Sequence, residues 1–106
     1  MVEMASLIAL SVARPITWIH MPVPVDRLDD AFYAPLEQLQ LPASTELYLG
    51  LVHVKDGVNG SIARVAAAKR HARDFGIASE CGISRGRDPN LALDFIEVYA
   101  KTAAAL

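Results

Sequence analysis

The sequence predicts an α/β fold: a partial TIM-type (β/α) barrel in which one helix precedes three βα units built on a parallel sheet. Three observations carry this expectation. Three short apolar runs, within TWIHMPVP (17–24), ELYLGLVHVKDG (46–57) and FGIASECGISRG (75–86), each break into a polar, turn-rich segment. A helix-patterned segment follows each run, and strands alternating with helices at this spacing form right-handed βαβ units around a parallel sheet. The ends of the runs carry residues able to do chemistry, His20, His53 and the pair Glu80–Cys81, and α/β barrels keep their chemistry at that end of the sheet.

Along the chain, residues 1–13 place Met1, Met4, Ala5, Ile8 and Val12 at helical spacing, and Pro15 ends the segment because it disfavours helix at Arg14. Ile16 to Met21 is a nearly continuous apolar run, as expected of a strand covered on both faces. Pro22 and Pro24 stop it, since neither can donate to a ladder. Asp26 or Asp29 then offers a cap for a helix carrying Ala31, Phe32, Leu36 and Leu39, with Pro35 near its first turn. Leu47 to Val54 reads as the second strand, and KDGVNG as the loop after it, with two glycines free to take positive φ. Ser61 caps the next helix, SIARVAAAKRHARDFG: Ile62, Val65, Ala66 and Ala72 form one face, Arg64, Lys69, Arg70 and Arg73 point toward water, and Gly76 ends it. His71 is expected on its solvated surface. Ile77 to Glu80 is a short third strand, CGISRGRDPN a polar loop, and Asp88–Pro89 the start of a last amphipathic helix bearing Leu91, Leu93, Phe95, Ile96, Val98 and Tyr99.

Composition narrows the function classes. With 106 residues, 53% hydrophobic and 21% charged, the chain is expected to form one domain, residues 1–106, and is too apolar to be disordered. A formal net charge of −2 supplies no broad basic field, and the Lys/Arg residues are not interleaved with aromatics, so nucleic acid is not an expected partner. The opening MVEMASLIALSVARP lacks a basic start and carries Glu3, which argues against a signal peptide. No apolar run approaches the roughly 18 residues that span a bilayer, so no membrane partner is expected. The single cysteine can make no internal disulfide, and a cytoplasmic, reduced setting fits best. Three strands cannot close a barrel, which takes about eight, and an open parallel sheet leaves two edges unpaired. Either a homo-oligomer covers those edges, or upstream barrel strands belong to the same protein.

Cys81 stands where strand gives way to loop, after a carboxylate and before Gly82, a position from which a thiolate can ligate metal or react. A core cysteine is the competing reading. His20 and His53 end the first two strands and can act as general acid or base near neutral pH, or be satisfied by a backbone carbonyl. Glu80 could carry a proton or pair with Arg85 or Arg87, and those arginines could instead fork onto a phosphate or carboxylate. Asp56–Gly57 and Asn59–Gly60 would form a loop able to close over substrate, although turn chemistry alone accounts for them.

The run WIHMPVPVDRLDDAFYAPLEQL, followed by ELYLGLVHVKDGVNGSIARVAAAKRHARDFGIASECG, resembles the last three βα units of bacterial proteins in the cobalamin-independent methionine synthase and uroporphyrinogen decarboxylase-like barrel superfamily. The resemblance covers about residues 15–100, and its most specific part is Ser79-Glu80-Cys81-Gly82. It implies a carboxyl-terminal barrel portion with Cys81 as a zinc ligand at the end of the final strand, and zinc activating a thiol for methyl transfer. His20, His53 and Glu80 would line the site of a small-molecule substrate. In the methionine synthase branch a histidine and a second cysteine come from an earlier strand, and a glutamate from the strand matching Thr17–His20. Here there is no second cysteine, and His20 or a neighbour would take the place of that glutamate. The alternative expectation is a non-catalytic remnant, inactive alone.

Overall fold

Parallel pairing around one central strand organises the molecule. The structure, a computed structural model, describes residues 1–80, 85 and 88–106. Helix α1 (Val2–Ser11) precedes strand β1 (Trp18–Pro22); α2 (Asp30–Tyr33) runs into a 3-10 helix (Ala34–Gln38); β2 (Glu46–Val52), α3 (Gly57–Lys69), β3 (Gly76–Ser79) and α4 (Pro89–Ala104) complete the order. Among the described residues the fold is therefore mixed α/β, with a small three-stranded parallel sheet in the order β1-β2-β3 and four α-helices.

β2 reads as a continuous apolar run because it lies between two strands, and every residue from Leu49 to Val52 is buried. Trp18 pairs with Glu46 and Pro22 with Gly50 on one side. On the other, Leu49 pairs with Ile77 and Val52 with Ser79, so β2 holds one more residue than β3 in that interval, a bulge beside Gly50 and Leu51. Alternation along the strands sends Met21, Leu47, Leu49 and Leu51 into the core, where they meet Tyr33, Val65, Ala67 and Ala68, with Phe32, Leu36 and Ile77 packed at its margin. Helices α2 and α3 thus cover one face. The opposite face begins with Trp18, which is 58% exposed.

Local chemistry sets the helix ends. Asp29, rather than Asp26, caps α2 by accepting from the Phe32 amide at 3.2 Å, and the Arg27 guanidinium forks onto the same carboxylate at 2.8 and 3.0 Å. Pro35 lies one residue into the 3-10 helix; lacking an N–H and crowding the preceding turn, it ends the α-helix after four residues. Asp88 accepts from the Asn90 amide at 2.8 Å, and Pro89 occupies the first position of α4, as expected.

Helix α3 departs from expectation. It begins at Gly57, not Ser61, and ends at Lys69, so Gly76 does not terminate it but opens β3. Gly57 takes φ +65, a conformation that side chains with a Cβ avoid. Gly60 lies under the Asp56 carboxylate, and any Cβ there would collide with it. The segment expected as a substrate-covering loop is therefore the first turn of a helix. Its buried face is Ser61, Arg64, Val65, Ala67 and Ala68, while Ala66 is exposed. Arg64, expected to face water, is 0% exposed.

Candidate site at the carboxyl ends of the strands

His53 follows the last residue of β2 directly, and Glu80 the last residue of β3. Because those strands are parallel neighbours, both residues emerge at the same end of the sheet. His53 Nδ1 lies 3.6 Å from Glu80 Oε2, the histidine side chain 8% exposed and the carboxylate 32%. That separation is an electrostatic contact longer than a formed hydrogen bond. His53 Nε2 lies 2.7 Å from the Val23 carbonyl. A carbonyl only accepts, so Nε2 carries a proton, and Nδ1 is the ring nitrogen turned toward Glu80. The pair can exchange a proton between imidazole and carboxylate, with the carboxylate on the solvent side.

His20 occupies the middle of β1 on the face opposite the core. Its Nε2 is buried and has no hydrogen-bond partner among the described residues. Gly50 is what admits the ring: a Cβ there would lie 3.1 Å from His20 Nε2 and 3.1 Å from the Ser79 carbonyl. Cys81, Gly82 and Arg87, which the sequence marks as a metal ligand, its neighbour and an anion contact, lie outside the described residues; Arg85 is exposed. The structure thus brings His53 and Glu80 together and buries at His20 an imidazole nitrogen with no partner among the described residues.

Sequence reasoning missed the groups beneath His53. The His53 amide donates to Ser61 Oγ at 3.3 Å, and the Ser61 hydroxyl donates to the Gly57 carbonyl at 2.8 Å. Arg64 pairs with Asp56 at 2.6 and 2.8 Å, and this side-chain hydrogen bonding holds the Asp56 carboxyl below its usual range. The available signal was positional: 61, 64, 65 and 68 share the i, i+3, i+4, i+7 stripe of α3.

A cleft of about 950 Å³ lies at the other end of the sheet, lined among others by Leu36, Leu41, Tyr48, Arg70, His71 and Phe75. At its lip His71 departs from expectation as well. Its side chain is only 14% exposed, with Nδ1 2.7 Å from Glu37 and Nε2 3.0 Å from Asp30. Arg70 shares Asp30 at 2.8 Å. Carboxylates on both ring nitrogens favour the imidazolium, and the Glu37 hydrogen bond, followed by that of Asp30, raises the His71 pKa above 6.5. A raised folded-state value means that this bridge contributes fully below the unfolded imidazole range and is lost as pH rises through the folded value. The stability advantage of the native chain over His71→Gln, read from urea unfolding, is therefore expected to shrink as pH climbs from neutral to mildly alkaline. An advantage that stays constant with pH would overturn this.

Among the described residues no group of three or more His, Cys, Asp or Glu side chains is arranged to hold a metal ion, and no helix is long and apolar enough to cross a membrane. No protein-family model, curated protein or solved structure matches the chain.

Proposed function

We propose that this chain supplies the last three βα units of a (β/α) barrel resembling the cobalamin-independent methionine synthase and uroporphyrinogen decarboxylase-like superfamily. In this reading it binds a small molecule at the strand ends, with His53 and Glu80 moving a proton. The observation that carries the proposal is the His53–Glu80 contact at the carboxyl ends of adjacent strands in a parallel sheet that advances in one direction, β1-β2-β3. Neighbouring strands of a barrel advance in this way, as do the strands within one half of a doubly wound sheet, so the order is compatible with a barrel and the strand-end contact carries the reading. Exposed Trp18 on the face away from the helices, and Met4, Leu7 and Leu10 exposed on α1, support further elements packing there. His20 Nε2, buried and without a partner among the described residues, leaves a hydrogen bond to be made by a group that packs there.

Thiol methyl transfer is the reaction the resemblance favours. Zinc, held through Cys81, would supply the Lewis acid and thiolate activation. The described donors do not assemble a metal-binding group, so no step is routed through zinc, and the chain's own contribution is the proton exchange at His53 Nδ1 and the carboxylate facing it.

Light scattering on a sizing column, with circular dichroism on the eluted peak, tests the barrel reading. A barrel piece with two uncovered sheet edges is expected to self-associate through them; a chain that stays monomeric with concentration would overturn it. Zinc content tests the reaction. Equimolar zinc, lost in Cys81→Ser with the fold retained, supports methyl transfer, and a zinc-free chain removes it, favouring the non-catalytic remnant.

A further inference from the structure

The polar network under the strand ends points beyond stability. Arg64 is completely buried and has five N–H donors. Nε donates to the Leu51 carbonyl at 2.7 Å, Nη1 to the Val25 carbonyl at 2.8 Å and to Asp56 Oδ2 at 2.6 Å, and Nη2 to Asp56 Oδ1 at 2.8 Å and Ser61 Oγ at 3.4 Å. Every donor is engaged, so the guanidinium has none left for a ligand. Its partners are instructive. Val25 lies two residues beyond Val23, whose carbonyl receives His53 Nε2, and Leu51 lies two residues before His53 on the same strand end. Ser61 accepts from both Arg64 and the His53 amide. The segment after β1 is thus clamped at two points, by the imidazole at Val23 and by the guanidinium at Val25.

We infer that Arg64 is a positioning residue for His53: it fixes the spacing between the segment after β1 and the end of β2, and so holds the imidazole as the Nε2–H tautomer with Nδ1 presented to Glu80. The inference rests on the reading of His53 and Glu80 as the proton-handling pair. Without the Val25 tether the Val23 carbonyl can withdraw, and a neutral imidazole no longer held at Nε2 redistributes its proton between the two nitrogens. A lysine at position 64 keeps the charge but not the fork that reaches Leu51, Val25 and Asp56 together.

The test is nitrogen NMR of the histidine rings in the labelled full chain, above the pH at which they become neutral, with folding checked on the amide spectrum. The native chain is expected to show separate Nδ1 and Nε2 shifts for His53, the signature of one tautomer. In Arg64→Lys the two shifts are expected to converge, while Arg70→Lys, which alters an exposed ion pair, leaves them unchanged. A folded Arg64→Lys chain that retains the single-tautomer pattern would overturn the inference, as would convergence in Arg70→Lys. If Arg64→Lys does not fold, Asp56→Asn decides on the same readout: convergence supports the inference, and an unchanged pattern overturns it. Glu80→Gln separates the two readings. An unmoved Nδ1 shift there would remove the proton-handling pair, while the positioning role of Arg64 would still stand or fall on the Arg64→Lys and Asp56→Asn spectra.

Discussion

Replacing Arg64 with alanine is expected to cost about 2–4 kcal/mol of folding stability, mainly through buried acceptors left without a donor, since Asp56 is 37% exposed and can be rehydrated. The guanidinium is fully buried, and its loss strands several groups at once: the Leu51 and Val25 carbonyls and the Ser61 hydroxyl lose a donor, and Asp56 loses a two-point partner. An unsatisfied buried acceptor costs roughly 1–3 kcal/mol, but water entering the vacated space would recover part of each, so the individual costs do not simply add. A domain of this size has on the order of 5–15 kcal/mol in hand, so the variant is expected to be largely unfolded under mild heating. Urea unfolding followed by circular dichroism measures the effect, and a loss below about 1 kcal/mol would show that water already reaches the guanidinium.

Leu51→Ala is the second large effect, expected at about 2–5 kcal/mol. Leu51 is 0% exposed in the central strand, and its side chain belongs to the cluster containing Leu49, Val65 and Ala68. Truncation removes apolar burial and leaves a cavity between the sheet and α3 that neither can readily close. The substitution leaves the Leu51 carbonyl in place for Arg64, so it isolates packing from the polar network. Leu93→Ala on α4, where the side chain is mostly exposed, is the control and is expected to change stability by no more than about 0.5 kcal/mol. Equal effects at the two positions would mean that the sheet–α3 interface is not the core. Leu51 and Arg64 are direct neighbours, so the double variant is expected to depart from additivity.

The strands were legible in the sequence because a parallel strand covered on both faces must be apolar along its length, and Leu47–Leu51 is. Their limits moved by a residue or two: β1 runs to Pro22 and β3 starts at Gly76. The last helix was readable from Asp88–Pro89, a purely local signal. The site was partly legible, since the strand-to-loop transitions identified His53 and Glu80, and parallel pairing made them neighbours. Less legible was the stretch from Asp56 to Ser61, where two glycines and an asparagine look like a loop. One glycine accepts a left-handed turn and the other makes room for a carboxylate that is bound to a distant arginine.

Apart from the first turn of α3 and the 3-10 stretch after α2, the sequence alone determined where strands and helices lie, their α-then-βα order and the residues at the strand ends, because hydrophobic period, prolines and caps act over a few neighbouring positions. The tertiary structure alone decided which charged side chains are buried. Arg64 lies inside because carbonyls from residues 25 and 51 and a carboxylate from residue 56 converge on it, and His71, just past the end of α3, is half-buried against acids 34 and 41 residues away. A guanidinium or an imidazole is buried at low cost only where acceptors meet it at hydrogen-bonding distance. Those acceptors, several of them backbone carbonyls that any residue could supply, acquire their positions when the chain folds, so no local pattern of residue types encodes them.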